Sequence, residues 1–255
     1  MYQEAIAETR GKLSRENADF FNREGYLLCP EPIFPQAKFD RLKAHFDKKL
    51  AALNPELRPE AMDVPHFTDT ALFEWLFADE VLDVVESIIG PDIALFSSHF
   101  ICKPAGNGKR VPWHEDGAYW GDRLSPMNVV TVWLAVDPSK KENGCMKVIP
   151  KSHLKKKASE YEPCDPKVNV FRNEIIQAGV RDANKQVACE LDPNYASLHD
   201  AWTIHGSDPN ESTLRRCGYT MRYIPTTVKF NDAKDVNEHH VIYLARGKDR
   251  AGNVY

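Results

Sequence analysis

Apolar residues in the first ninety positions recur at helical spacing. Phe39, Leu42, Phe46, Leu50 and Leu53 follow one another at steps of three and four, with lysines and aspartates between them, and predict an amphipathic helix after Pro35. Ser14 is of a type that caps helices, and Ala18, Phe20 and Phe21 give the segment behind it an apolar side that stops before Gly25. Tyr26-Leu27-Leu28-Cys29 then reads as a short strand closed by Pro30 and Pro32. A third helix is expected from Asp79, taken as its cap, through Val81, Leu82, Val85 and Ile88 or Ile89 to Gly90-Pro91. Residues 1–92 are thus expected to be mainly helical.

The pattern changes at Ile93. Ile93, Leu95, Ser97 and His99 alternate with Ala94, Phe96, Ser98 and Phe100, and short strand-like runs follow at Val129 to Val136, Met146 to Ile149, Gln186 to Leu191, Tyr195 to Thr203 and Cys217 to Tyr223. Turns such as Asp137-Pro138, Asn143-Gly144 and Asp208-Pro209-Asn210 separate them. Many short strands with no helix between each pair predict an antiparallel sandwich or barrel over 93–225, not a doubly wound parallel sheet. Within it, 151–185 is polar and aperiodic, which fits a lid over a site or a disordered loop equally. One domain spanning 1–255 is expected from the length and the 42% hydrophobic content.

Net charge removes some partners. At −4, with Lys155-Lys156-Lys157 the one short basic run, the chain lacks a nucleic-acid footprint. No uncharged apolar stretch is long enough to span a bilayer, and Met1-Tyr2-Gln3-Glu4-Ala5 puts an acid where a signal peptide carries basic residues. The six cysteines (Cys29, Cys102, Cys145, Cys164, Cys189, Cys217) are scattered without a paired motif. A cytoplasmic protein acting on a small molecule is expected, without membrane or nucleic-acid partners.

The candidate chemistry lies in Trp113-His114-Glu115-Asp116-Gly117-Ala118-Tyr119-Trp120, read with His205-Gly206-Ser207 and Arg215-Arg216. His-x-Asp alone says little, since nine histidines yield on the order of 0.7 chance matches in such a chain. On a strand, His114 and Asp116 would point to one side and Glu115 to the other. His205, expected to end the strand-like run from Ser197 to Ile204, is the best third ligand. Two neutral imidazoles and one carboxylate leave positions open for a chelating co-substrate and dioxygen, the donor set of a non-haem ferrous oxygenase. Arg216 offers a planar fork for the far carboxylate of a dicarboxylic co-substrate, whereas Arg215 is expected to face solvent. The other histidines, His45, His66, His99, His153, His199, His239 and His240, are read as ordinary hydrogen-bonded or exposed residues.

Four segments extend this set in a fixed order: Phe100-Ile101-Cys102-Lys103-Pro104, Trp113-His114-Glu115-Asp116 with Tyr119-Trp120, Gly144 to His153, and His205-Gly206-Ser207-Asp208-Pro209-Asn210 with Arg215-Arg216. Together they resemble the phytanoyl-CoA dioxygenase family of iron(II)- and 2-oxoglutarate-dependent oxygenases, from about Leu13 to Tyr223. The resemblance implies a double-stranded β-helix, the cupin-like jelly roll, with N-terminal helices against one sheet. It implies that His114, Asp116 and His205 bind Fe(2+), and that Arg216 and Ser207 hold the distal carboxylate of 2-oxoglutarate, with Trp133 and Lys103 as further contacts. Tyr119 and Trp120 are the candidates for the substrate-facing wall. Many members carry Gly-Ser-His after Ile-Pro; here Lys151-Ser152-His153 stands there, and a lysine disfavours the positive φ that glycine allows.

Hydroxylation of an unactivated C–H bond by O2 is the expected reaction, and the presence of Asp116 argues against halogenation, for which the resemblance implies loss of the carboxylate ligand. A small polar or anionic metabolite, such as an amino acid derivative or an organophosphonate, fits the lysines and arginines near the site better than an acyl-CoA does. Two other readings remain open: a zinc hydrolase, and a non-catalytic jelly-roll binding module.

Overall fold

The computed structural model describes residues 12–176, 179–180, 182–231 and 240–255; Met1 to Ala5 and His239 lie outside them. Its first part runs α1 (Arg15–Glu24), β1 (Tyr26–Leu28), α2 (Gln36–Ala51), β2 (Met62–Asp63), α3 (Phe73–Leu76) and α4 (Asp79–Ile89). The second part begins with β3 (Ile93–Lys103), β4 (Val111–His114), α5 (Asp116–Trp120), β5 (Leu124–Ser125), β6 (Val130–Ala135) and β7 (Met146–Val148). It continues with β8 (Tyr161–Pro163), β9 (Asn173–Ile175), β10 (Val187–Ala188), β11 (Ala196–Asp200), β12 (His205–Ser207), β13 (Arg216–Pro225), β14 (Lys229–Phe230) and β15 (Tyr243–Arg246). No helix of the described residues is long and apolar enough to cross a membrane.

Local chemistry explains the helix ends. Ser14 caps α1, its Oγ accepting from the Asn17 N–H at 3.2 Å, and Gly25 ends it at φ 81°. A Cβ on Gly25 would lie 2.3 Å from the His153 ring, so only glycine fits there. Asp79 is the first helical residue of α4, with Ala78 in the capping place, and its carboxylate pairs with Arg246. Leu53 falls beyond the end of α2 but still packs on the core.

Two antiparallel sheets face each other as a jelly roll. The larger has the order β1-β11-β6-β13-β3-β15, with β2 also on β3; the smaller runs β10-β7-β12-β4. Strand alternation gives the large sheet two different faces. Outward, Val132, Leu134, Leu198, Cys217, Tyr219, Met221, Phe100 and Cys102 meet Phe39, Leu42 and Phe46 of α2 and Val81, Leu82 and Val85 of α4 in one buried core. Phe100 stacks on Tyr219 with centroids 4.0 Å apart, and Phe46 packs on Phe100 at 5.0 Å. Each such side chain contributes roughly 1.5–3 kcal/mol by leaving water, which is what holds the helical layer to the sheet.

Several expectations need correction. His114 ends β4 and Asp116 starts α5, so the two are not strand neighbours on one face. His205 does not finish the preceding strand: β11 stops at Asp200, the chain turns, and His205 opens β12 in the other sheet. Arg215 is not a solvent-facing cation; its guanidinium pairs with Asp137 at 2.7 Å and Asp47 at 2.8 Å and lies over the Phe46 ring. Lys151 does adopt the left-handed conformation, φ 65°, that glycine would take more cheaply. The described part of 151–185 is not structureless: it contains a 3-10 turn at Ser152–Lys155 and the β8–β9 hairpin.

His66 is buried beneath the helical layer, its Nδ1 2.7 Å from Ser98 Oγ and its ring edge-on to Phe67, Phe73 and Tyr243. Burial, reinforced by the nearby His240 imidazole, pushes its pKa down to about 4. An unfolded chain would protonate it near 6.5, so the stability it permits is complete above that pH and is lost as pH falls toward 4. We expect the urea midpoint to fall between pH 6.5 and 5, with His66 accounting for about 2 kcal/mol of the change. His66→Phe should flatten that slope; an unchanged slope would contradict the assignment.

Candidate metal centre

His114 and His205 face each other across the β4–β12 pairing, with ring centroids 4.1 Å apart. Each ring is held in the same way. His114 Nδ1 lies 2.8 Å from the Pro112 carbonyl, and His205 Nδ1 lies 2.9 Å from the Thr203 carbonyl. A carbonyl only accepts, so each Nδ1 carries the hydrogen and each Nε2 keeps its lone pair. Burial lowers both pKa values, that of His205 strongly and with the neighbouring His114 and His199 adding to it, so both rings are neutral.

Asp116 completes the set from the first turn of α5. Its Oδ1 is 3.7 Å from His114 Nε2, and one ligand atom from each of His114, Asp116 and His205 lies within 4.8 Å of the others. Burial alone would raise the Asp116 pKa, but the Arg222 guanidinium leads the groups that outweigh it and hold the carboxyl ionised, well below its usual range. Two imidazole lone pairs and one carboxylate converging in a buried place fit a divalent transition metal. Glu115, between the two ligands, turns away and accepts hydrogen bonds from the Tyr161 hydroxyl and the Ser159 N–H, both at 2.7 Å. The hairpin segment is thereby tied to the ligand-bearing turn.

The inner face of the large sheet supplies the rest. Arg216 stands opposite Lys103 in the β13–β3 register, and both are buried. Lys103 Nζ donates to Ser207 Oγ at 2.7 Å and to the Asp208 carbonyl. Arg216 donates to the carbonyls of Gly144 and Ile101 and lies 3.4 Å from Ser207 Oγ, with its guanidinium over the Trp133 ring. Burial lowers the pKa of both, that of Arg216 to about 10, so its charge persists at neutral pH. Among the described residues neither has a carboxylate partner. Gly218 makes room for this arrangement, since a Cβ there would lie 2.0 Å from the Trp133 ring.

The ligand triad and Arg216, Ser207 and Trp133 line one cavity, with a free volume of about 50 Å³. Phe171 from the hairpin segment closes one side, its ring 4.9 Å from His114. Neither residue expected as a substrate wall lines it. Tyr119 sits at the rim, 42% exposed, with its ring edge toward His114, and Trp120 turns into a separate core against Phe96. The α-helical start at Asp116 causes this, because it rotates the following residues off the strand line assumed for them. Residues not anticipated also face the cavity: His99, His199, Thr220, Arg222 and Phe171. For Thr220 and Arg222 the signal was available, since they share the two-residue period of Arg216 along β13. Phe171 lies in the aperiodic segment and carried none.

A jelly roll with two histidines, one carboxylate and a buried arginine in one cavity defines the class of non-haem, 2-oxo-acid-dependent oxygenases. The family model described as phytanoyl-CoA dioxygenase matches residues 21–218, and the chain belongs to that family of iron(II)- and 2-oxoglutarate-dependent dioxygenases. A protein of Stutzerimonas stutzeri named "Probable alpha-ketoglutarate-dependent hypophosphite dioxygenase" is 28% identical over 174 residues, covering 67% of this chain and 58% of that protein. The human peroxisomal phytanoyl-CoA dioxygenase is 24% identical over 258 residues, covering 90% of this chain and 73% of that protein. Among solved structures, the apo form of the non-heme monooxygenase ThoJ superposes with a TM-score of 0.73 at 23% identity, covering 93% of this chain and 86% of that one. This last likeness bears on the fold alone.

Gly218→Ala tests the packing of the cation end. The added methyl must push Trp133 off Arg216, at a stability cost of about 1–3 kcal/mol. We expect 2-oxoglutarate affinity to fall at least about tenfold while metal affinity stays within about threefold. Equal losses of both would show the change to be global.

Proposed function

We propose that the chain is a single catalytic domain that hydroxylates a C–H bond of a small polar or anionic metabolite. The observation that carries this reading is one buried cavity lined by a ligand triad and by Arg216, whose guanidinium has no carboxylate partner among the described residues, with Lys103 beside it on Ser207. In this proposal His114, Asp116 and His205 hold Fe(2+). Arg216, Lys103 and Ser207 take the far carboxylate of 2-oxoglutarate, and Trp133 orients Arg216. Bound iron supplies the activation of O2 coupled to oxidative decarboxylation of 2-oxoglutarate, which yields succinate, carbon dioxide and the hydroxylated product.

The chain's own groups do the rest. The Nδ1–carbonyl contacts fix both rings before any metal arrives, and the β8–β9 hairpin, tied down through Glu115 and through Arg110 to Glu174, serves as the lid that limits water. Arg222, His99 and His199 on the cavity wall favour a polar substrate over a long acyl chain. An amino acid derivative or an organophosphonate has that character, and the hypophosphite dioxygenase relative is named for a small anion. Acyl-CoA hydroxylation, the activity for which the human relative is named, is the alternative within the family.

Succinate formation with iron(II), ascorbate and 2-oxoglutarate, measured across small acids, amines, phosphonates and acyl-CoAs, tests the proposal. Small anions should raise turnover above the uncoupled rate, and His114→Ala should abolish it. Stimulation by acyl-CoAs alone would favour the alternative. No succinate at all from the iron-loaded protein would remove the oxygenase reading, and 2-oxoglutarate binding without turnover would leave a binding module.

A further inference from the structure

His199 is the most anomalous side chain near the candidate centre. It sits on β11, in register with Thr131 of β6, on the inner face of the large sheet, and is 1% exposed. Among the described residues neither of its ring nitrogens has a hydrogen-bond partner. Leaving a buried polar group unpaired costs about 1–3 kcal/mol, so a smaller or apolar residue would stabilise the apo fold. Its surroundings indicate what it faces. Nε2 lies 3.8 Å from Asp116 Oδ2, and the ring centroid is 4.5 Å from that of His205.

Arg222 approaches the same oxygen from β13. Its Nε is 3.4 Å from Asp116 Oδ2, and its guanidinium lies over Trp120. The two carboxylate oxygens of Asp116 therefore have different neighbours: Oδ1 faces His114 Nε2, and Oδ2 faces two donors.

We propose that Arg222 and His199 are positioning residues that hold Asp116 Oδ2, so that the carboxylate presents Oδ1 alone to the metal. This rests on the metal-site reading above. A carboxylate at the start of a short helix can turn about its last side-chain bond and offer either oxygen or both. Donors on one oxygen remove that freedom. His199 needs to close its gap by only about 0.6 Å to reach hydrogen-bond range. Partners of this kind typically change metal affinity by about 10–100-fold.

Anaerobic cobalt(II) titration of the full chain, without 2-oxoglutarate, reads affinity and the cobalt absorption bands together, with circular dichroism as the control for folding. His199→Phe and Arg222→Met should each weaken cobalt binding about 10–100-fold and alter the bands, which report how many oxygens the carboxylate gives. His199→Gln and Arg222→Lys keep a donor and should recover affinity to within about threefold of wild type. Should His199→Phe fail to fold, the two Arg222 variants decide. Deletion variants that bind as wild type with unchanged bands would overturn the proposal, as would conservative variants no better than the deletions. Loss of all cobalt binding in His199→Gln would make His199 a ligand and overturn it too. A wild-type chain that binds no cobalt would remove the metal site itself, an outcome distinct from failure of the positioning role.

Discussion

A buried arginine that has no carboxylate partner among the described residues is the constraint around which the site is organised. Arg216 stands opposite Lys103 on paired strands, and among the described residues the two side chains are hydrogen-bonded to carbonyls and the Ser207 hydroxyl. Removing such a charge from water costs several kcal/mol unless a counter-charge is supplied. In the proposed reading an anion bound at that place supplies it, and the triad at the other end of the cavity receives a cation. One ligand with a chelating end and a carboxylate end would satisfy both, which is the logic that connects the two halves of the site to 2-oxoglutarate.

Backbone geometry delivers these groups with few special devices. The two-residue period of β13 sends Arg216, Thr220 and Arg222 inward and Cys217, Tyr219 and Met221 into the helical layer, so the same strand builds the core and the site. Packing of α2 and α4 on the outer face therefore fixes the positions of the inner groups. In the small sheet, two carbonyls set the tautomers of His114 and His205, and strand pairing sets their separation. Glu115 then links the ligand turn to the hairpin, so the residue between two candidate ligands is structural in its contacts yet depends on the same turn.

Much of this was legible in the sequence, and the failures have physical causes. The periodicity of Phe39, Leu42 and Phe46, the cap at Ser14, and the switch to strand alternation at Ile93 are local signals, and the elements follow them. His114, Asp116, His205, Arg216, Ser207 and Trp133 line one cavity, with Lys103 beside it on Ser207. Tyr119 and Trp120 were misplaced because strand geometry was extended two residues too far, past the point where the chain turns helical. Arg215 seemed solvent-facing because its partners, Asp47 and Asp137, are remote in sequence. His199 carried no sequence signal beyond being a histidine; its importance is its lack of partners, which only packing reveals.

The central claim, that the metal and Arg216 jointly bind one two-ended ligand, is tested most directly by calorimetric titration of 2-oxoglutarate into metal-loaded protein, with pyruvate as the compound lacking the far carboxylate. Binding of 2-oxoglutarate should be much tighter than that of pyruvate, and Arg216→Ala should remove most of the difference while pyruvate affinity is unaltered. Equal affinity for the two acids, or a preference for 2-oxoglutarate that survives in Arg216→Ala, would contradict the account.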